Sequence, residues 1–228
     1  MYELDKGGIF MSNENRKTLE VYEKTAHIYL SNSVEHDNMD PIKAQKKKDA
    51  LEELIRISFA ELPKGAKVFE IGSADGANAK YIDSLGFDVM ASDTVDTFVE
   101  ATKMQGVNTI KFNALEDDFP EKYFAVFCWR VFVHFTKDDA LKLIKKVYDN
   151  LEKNGIFIFN AINRVSKGVD NEWVDFEGEY HMGVERYYNY FLKEDLDDMI
   201  AQTDFKVQDF HTEGGKEKNK WLVYVLKK

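Results

Sequence analysis

The sequence predicts an α/β protein: a doubly wound, mostly parallel seven-stranded sheet that ends in an antiparallel hairpin, with a helical cap at its N-terminus. Three observations carry this. Apolar, strand-like runs alternate with helix-period segments over short connections from Lys67 to Asn160. The first run, Val68-Phe69-Glu70-Ile71, breaks into a loop with Gly72 and Gly76 at its ends. The last two runs, Phe205 to Thr212 and Trp221 to Leu226, are separated only by the polar stretch Glu213 to Lys220. That stretch is too short for a crossover helix, so the two strands pair antiparallel.

A chain of 228 residues, 44% hydrophobic and 14% aromatic, suits one domain with a well-filled core. Residues 1–18 are expected to be poorly ordered, 19–62 to form the helical cap and 63–228 the main sheet domain, the whole behaving as a single domain. Met11 serves as a start as well as Met1 does. With 41 acidic against 31 basic side chains and a net charge of −10, nucleic acid is a poor partner. The one basic run, Lys46-Lys47-Lys48, is followed by acids and reads as a solvated helix face. The single Cys128 excludes an intrachain disulfide. No apolar run reaches the ~18 residues of a membrane span, and the N-terminus lacks the apolar core of a signal peptide. A cytoplasmic protein that does not enter membranes is expected.

In the cap, Leu19, Tyr22, Ala26, Tyr29 and Leu30 share a helical face, and Pro41 opens a second helix whose stripe is Leu51, Leu54, Ile55 and Phe59. After the first strand, a helix begins at Ala77. Asp88 to Ser92 is the second strand, Val95 to Gln105 a helix, and Asn108 to Phe112 the third strand. Phe124 to Cys128 is a continuous apolar run of the kind a parallel sheet buries. A helix with Ala140, Leu141, Ile144, Val147 and Leu151 inward follows, closed by Asn154-Gly155 ahead of strand Ile156 to Asn160. The alternation pauses between Arg164 and Arg186, where aromatic residues stand among acids and glycines. Either a substrate lid or an aromatic cluster packed on the sheet fits.

The strand, small-residue turn and helix start around Gly72 to Gly76 form a ready nucleotide cradle. Two acids strengthen it. Glu70 is costly to bury in an apolar strand without a partner. Asp93, at the end of the second strand and expected near the surface, is placed to accept hydrogen bonds from both ribose hydroxyls.

On these residues the chain resembles the class I S-adenosylmethionine-dependent methyltransferases. Glu70-Ile71-Gly72-Ser73-Ala74-Asp75-Gly76 matches their acid, apolar, Gly-x-Gly-x-Gly motif, with Ala74 in the middle glycine place and so requiring an ordinary φ there. The resemblance implies a Rossmann-like methyltransferase fold and S-adenosyl-L-methionine as cofactor. It places Glu70, Gly72, Ser73, Ala74, Gly76, Asp93, Thr94, Asn113, Ala114, Leu115 and Cys128 about that cofactor. Asn113 would meet the adenine amino group through its amide oxygen while Leu115 packs on the ring.

Methyl transfer asks the protein to align acceptor and methyl and exclude water. A hydroxyl acceptor also gains from a general base, and His134, past the fourth strand, is the candidate. If a helix has begun by Arg130, that residue sits at i, i+4 from His134 and lowers its pKa. Tyr22, Tyr29, Trp129, Tyr180 and His181 are candidates for the acceptor pocket, with ordinary core packing the other reading of the two cap tyrosines. No His, Asp or Glu cluster has metal-ligand spacing, so no metal is expected. The acceptor expected is a small molecule: a sugar, nucleotide-sugar or secondary metabolite methylated on O or N. The alternatives are a quinone or amine acceptor, a non-catalytic S-adenosylmethionine-binding module, or a nicotinamide oxidoreductase, which would show Gly-x-Gly-x-x-Gly and no terminal hairpin.

Overall fold

A computed structural model of the protein describes residues 11–33, 41–175, 183–214 and 220–228. The candidates Tyr180 and His181, and residues 1–10, lie outside them. The cap contributes α1 (Asn13–Ser33) and α2 (Pro41–Ser58). The main unit runs β1 (Lys67–Ile71), α3 (Ala77–Ser84), β2 (Asp88–Asp93), α4 (Asp96–Met104), β3 (Asn108–Lys111), β4 (Tyr123–Cys128), α5 (Lys137–Asn150) and β5 (Leu151–Ile162). It then adds β6 (Asn171–Asp175), β7 (Glu185–Asn189), α6 (Lys193–Ile200), β8 (Lys206–Glu213) and β9 (Trp221–Lys227).

Seven strands form one sheet in the order β3-β2-β1-β4-β5-β9-β8, parallel from β3 to β5 and antiparallel at β9 and β8. Side chains alternate across it as pleating requires. Val68, Ala125, Phe127 and Ile158 face α2 and α3, where Ile55, Ala79 and Ile82 are buried together with Phe59 just after α2. Phe69, Val126, Phe157 and Phe159 face the opposite way, against Leu143, Ile144 and Val147 of α5 and Leu196 of α6. Each fully buried side chain of this kind contributes roughly 1.5–3 kcal/mol.

Three boundaries differ from the sequence reading. Helix α1 starts at Asn13, inside the segment expected to be poorly ordered, because the Ser12 hydroxyl accepts the Asn15 N–H (3.1 Å) and its carbonyl accepts that of Arg16 (3.1 Å). Helix α5 ends at Asn150, and Asn154, at φ 63, turns the chain within β5 instead. The Arg164–Arg186 stretch, described except for 176–182, is not all loop. It holds a second sheet, the β6–β7 antiparallel pair, with Trp173 against Tyr187 across the ladder. Strand β7 packs on α1 and on the turn Phe132–His134 after β4.

Candidate active site

A cleft of about 1120 Å³ lies over the C-terminal ends of β1 to β4, where the strand order reverses between β1 and β4. That exceeds the roughly 300–1,000 Å³ of a single small-ligand site, leaving room for two molecules side by side. Gly72, Ser73, Ala74, Asp93, Thr94, Asn113 and Ala114 line it, as do Tyr22, Tyr29, Trp129, Arg130 and His134. Glu70, Gly76, Leu115 and Cys128 do not; they stand behind the wall.

The turn after β1 is held in shape by the chain itself. Gly72 (φ 75) and Gly76 (φ 78, capping α3) need glycine twice over. A Cβ at Gly72 would lie 2.5 Å from Val131 Cγ2 and one at Gly76 2.9 Å from Thr102 Cγ2, so the neighbours they spare are protein atoms. Ala74 departs from expectation: its φ is 47, a left-handed conformation costing about 1–3 kcal/mol for a residue with a Cβ. Both of its peptide groups are clamped. Its N–H donates to Asp93 Oδ2 (3.0 Å) and its carbonyl accepts from Thr102 Oγ1 (3.2 Å), which also lies 3.0 Å from Ser73 Oγ. Thr102, on the inner face of α4, carries no motif and was invisible in the sequence.

Asp93 is therefore buried, contrary to the surface position expected. Its Oδ1 accepts from the Val95 N–H (3.0 Å), and burial pushes its pKa up to about 6 against those backbone bonds. The Thr94 N–H bonds the same carboxylate, which leaves it one lone pair for a ligand. Glu70 is 1% exposed, burial pushes its pKa up to about 8, and its Oε2 has no hydrogen-bond partner. Asn113 spends its amide oxygen on the Leu115 N–H (3.0 Å) and its amide protons on Glu116 (3.2 Å) and the Met11 sulfur (3.8 Å), so only a second lone pair is open to a ligand. Burial raises the Cys128 thiol pKa, leaving a neutral, inert side chain.

Across the cleft stands a polar chain assembled from three elements. His134 Nδ1 lies 2.9 Å from the Tyr187 carbonyl, which can only accept, so the ring proton sits on Nδ1. Nε2 then accepts from the Tyr22 hydroxyl (2.9 Å), which itself accepts from Arg186 Nη1 (2.8 Å). Arg186 also covers the Tyr22 and Tyr188 rings at 5.2 and 5.5 Å. Burial first, and the Arg186 charge with it, push the His134 pKa down to about 4; burial raises that of Tyr22. The cation beside His134 is thus Arg186 and not Arg130. No helix has begun at Arg130, which has φ 61 and donates its N–H to Asn160 Oδ1 (2.6 Å). Tyr22 and Tyr29 also pack on Phe98, at ring separations of 6.1 and 5.4 Å, so pocket and core roles coincide. Arg186 had one sequence signal, a lone cation beside Tyr187-Tyr188.

The family model described as a methyltransferase domain matches residues 42–209. The chain belongs to that family. Among solved structures, this methyltransferase is similar to magnesium protoporphyrin IX methyltransferase of Synechocystis PCC 6803 with bound SAM (11% identity, TM-score 0.70, 95% of this chain and 98% of that one). It is likewise similar to an S-adenosylmethionine-dependent methyltransferase of Clostridium acetobutylicum (14%, 0.66, 91% and 98%) and to the CcbJ methyltransferase of Streptomyces caelestis (15%, 0.62, 77% and 88%). At such identities these likenesses show the fold. No curated protein matches by sequence. The donor set of this methyltransferase suits S-adenosylmethionine: a buried carboxylate with a lone pair to spare at β2, the apolar Phe112 and Ala114 after β3, and the glycine turn after β1. No described helix is long and apolar enough to cross a membrane.

Proposed function

We propose that this methyltransferase acts on a small organic acceptor, a sugar, nucleotide-sugar or secondary metabolite, and methylates it on oxygen or nitrogen. The observation that carries this is the cleft itself: its volume of about 1120 Å³ exceeds that of one small-ligand site, and aromatic residues of α1 and the segment after β4 wall it. The net charge of −10 favours such an acceptor over nucleic acid.

The bound cofactor supplies an electrophilic methyl on a sulfonium. In this reading Asp93, Asn113 and the turn Gly72–Ala74 hold its nucleoside half, with Thr94 and Ala114 beside them. Glu70, Gly76, Leu115 and Cys128 support the wall from behind. Tyr29 and Trp129 confine the acceptor. An acceptor hydroxyl meets Tyr22 first, because Tyr22 already occupies the lone pair of His134. When the acceptor oxygen takes the methyl, the methyl–sulfur bond would break with its electron pair left on sulfur as the thioether; the acceptor proton passes to Tyr22 Oη and the Tyr22 proton to His134 Nε2, leaving a methyl ether and an imidazolium. A ring with pKa near 4 is a weak base, yet the oxygen being methylated becomes far more acidic than that, so the transfer runs downhill. Incubation with labelled S-adenosylmethionine and a metabolite extract tests the reading: label should enter one low-mass product. Label on macromolecules alone, or on nothing while cofactor still binds, would reject it.

A further inference from the structure

The charged residues around the cleft invert the balance of the chain. Three acids line it, and all are engaged: Asp75 by the Ala77 N–H, Asp93 by Ala74 and Val95, Glu213 by His211. Five cations line it, and among the described residues only Lys48 has an ion pair, with Glu52. Among the described residues, no acid forms an ion pair with Lys46, Lys47, Arg130 or Lys220.

Arg130 is the most constrained of them. Its left-handed backbone is pinned by Asn160, and its guanidinium lies over the Trp221 ring at 5.9 Å. A strained conformation held by a buried side chain belongs to sites where placement matters, and here it fixes an arginine at the cleft wall beside Tyr29. The sheet order says which ligand it faces. The nucleoside groups stand at the ends of β1, β2 and β3, whereas Arg130 follows β4 and Trp221 pairs with Ile162 at the end of β5. Arg130 is therefore on the half of the cleft left for the acceptor.

We propose that Arg130, stacked on Trp221 and assisted by Lys220, is an anion subsite for a carboxylate or phosphate carried by the methyl acceptor. The subsite narrows the acceptor class proposed above to anionic small molecules and rests on that reading. A planar guanidinium held in place on an indole ring offers two parallel donors to such a group, which a free lysine does not. The lysines at the rim draw the anion in.

The test is calorimetric titration of inorganic pyrophosphate into protein saturated with S-adenosylhomocysteine, for wild type, Arg130→Gln, Arg130→Lys and the distant charge control Lys64→Gln. Wild type should bind, more weakly as salt rises. Arg130→Gln should weaken binding about tenfold, Arg130→Lys by less, and Lys64→Gln not at all, with S-adenosylhomocysteine affinity unchanged within about twofold in each. Absence of pyrophosphate binding to wild type at millimolar concentration, or equal binding by Arg130→Gln, overturns the subsite. If Arg130→Gln weakens S-adenosylhomocysteine as much as pyrophosphate, Arg130 holds the cofactor's own carboxylate and the proposal fails. Failure of wild type to bind S-adenosylhomocysteine would instead count against the methyltransferase reading itself.

Discussion

The two halves of the cleft are built on different principles. In the half proposed for the nucleoside, Gly72, Ala74, Asp93 and Thr102 fall within the first two β–α units, and side chains hold backbone: Asp93 to the Ala74 N–H across 19 positions, Thr102 to its carbonyl across 28. In the half proposed for the acceptor, side chains hold side chains over far greater separations, 112 positions for Tyr22 and His134 and 164 for Arg186 and Tyr22. The first arrangement shapes a rigid turn before any ligand arrives. The second tunes one proton position inside a nearly dry cluster, where each member removed strands the next.

The contrast predicts its largest effect at the Tyr22–His134 pair. Tyr22→Phe keeps the ring but removes the link between acceptor and imidazole. It should lower kcat by roughly 10²–10⁴ while S-adenosylhomocysteine affinity stays within a few-fold. His134→Ala should do the same and also cost about 1–3 kcal/mol in stability by leaving buried partners unpaired. A Tyr22→Phe enzyme with full kcat would break the relay. The pH profile sharpens the point. An ordinary imidazole would lose its base form near pH ~6.5, whereas with a pKa lowered to about 4 the rate should fall only as pH drops through about 4. A fall centred near 6.5 would show that His134 titrates freely.

Asp93→Ala is the counterpart in the nucleoside half. Because Asp93 clamps the turn as well as facing the cleft, we expect a loss of about 1.5–3 kcal/mol in stability alongside a weakening of cofactor binding by about 10–100-fold. A stability change under about 1 kcal/mol, measured by denaturant unfolding, would mean that Ala74 keeps its left-handed turn without the carboxylate.

A smaller effect follows from Glu70. Its carboxyl is held neutral to about pH 8 in the folded chain but ionises near ~4.3 when unfolded, so the folded state binds the extra proton between those values. Stability contributed by this group therefore declines as pH rises through that window. Asp93 acts in the same direction between ~3.9 and about 6. His134, neutral when folded, acts in the opposite direction: it lends stability above ~6.5 that is lost toward about 4. Of these three groups, only Glu70 titrates between about 6.5 and 8, and Glu70→Gln should flatten the stability slope there. An unchanged slope would place the titration elsewhere.

The smallest effect is at Ala74→Gly, which relieves the left-handed strain without removing either clamp. It should stabilise the protein by up to about 1 kcal/mol and leave kinetics unchanged. Any loss of stability would show that the clamps already offset the strain.

The sequence by itself determined the seven strands, their mostly parallel sheet and closing hairpin, and the turn after β1, because each of these is written in short-range terms. Apolar runs must be buried, glycines permit positive φ, and a polar loop without a helix forces antiparallel pairing. It could not determine the left-handed φ of Ala74, whose stabilising partners Asp93 and Thr102 lie on other elements. Nor could it show that Arg186 rather than Arg130 stands beside His134, that Tyr22 occupies the imidazole lone pair, or that β6 and β7 form a sheet against α1. Those are contacts between segments far apart along the chain. Only the packed tertiary structure sets which side chains meet there, how dry the meeting place is, and so which proton each one keeps.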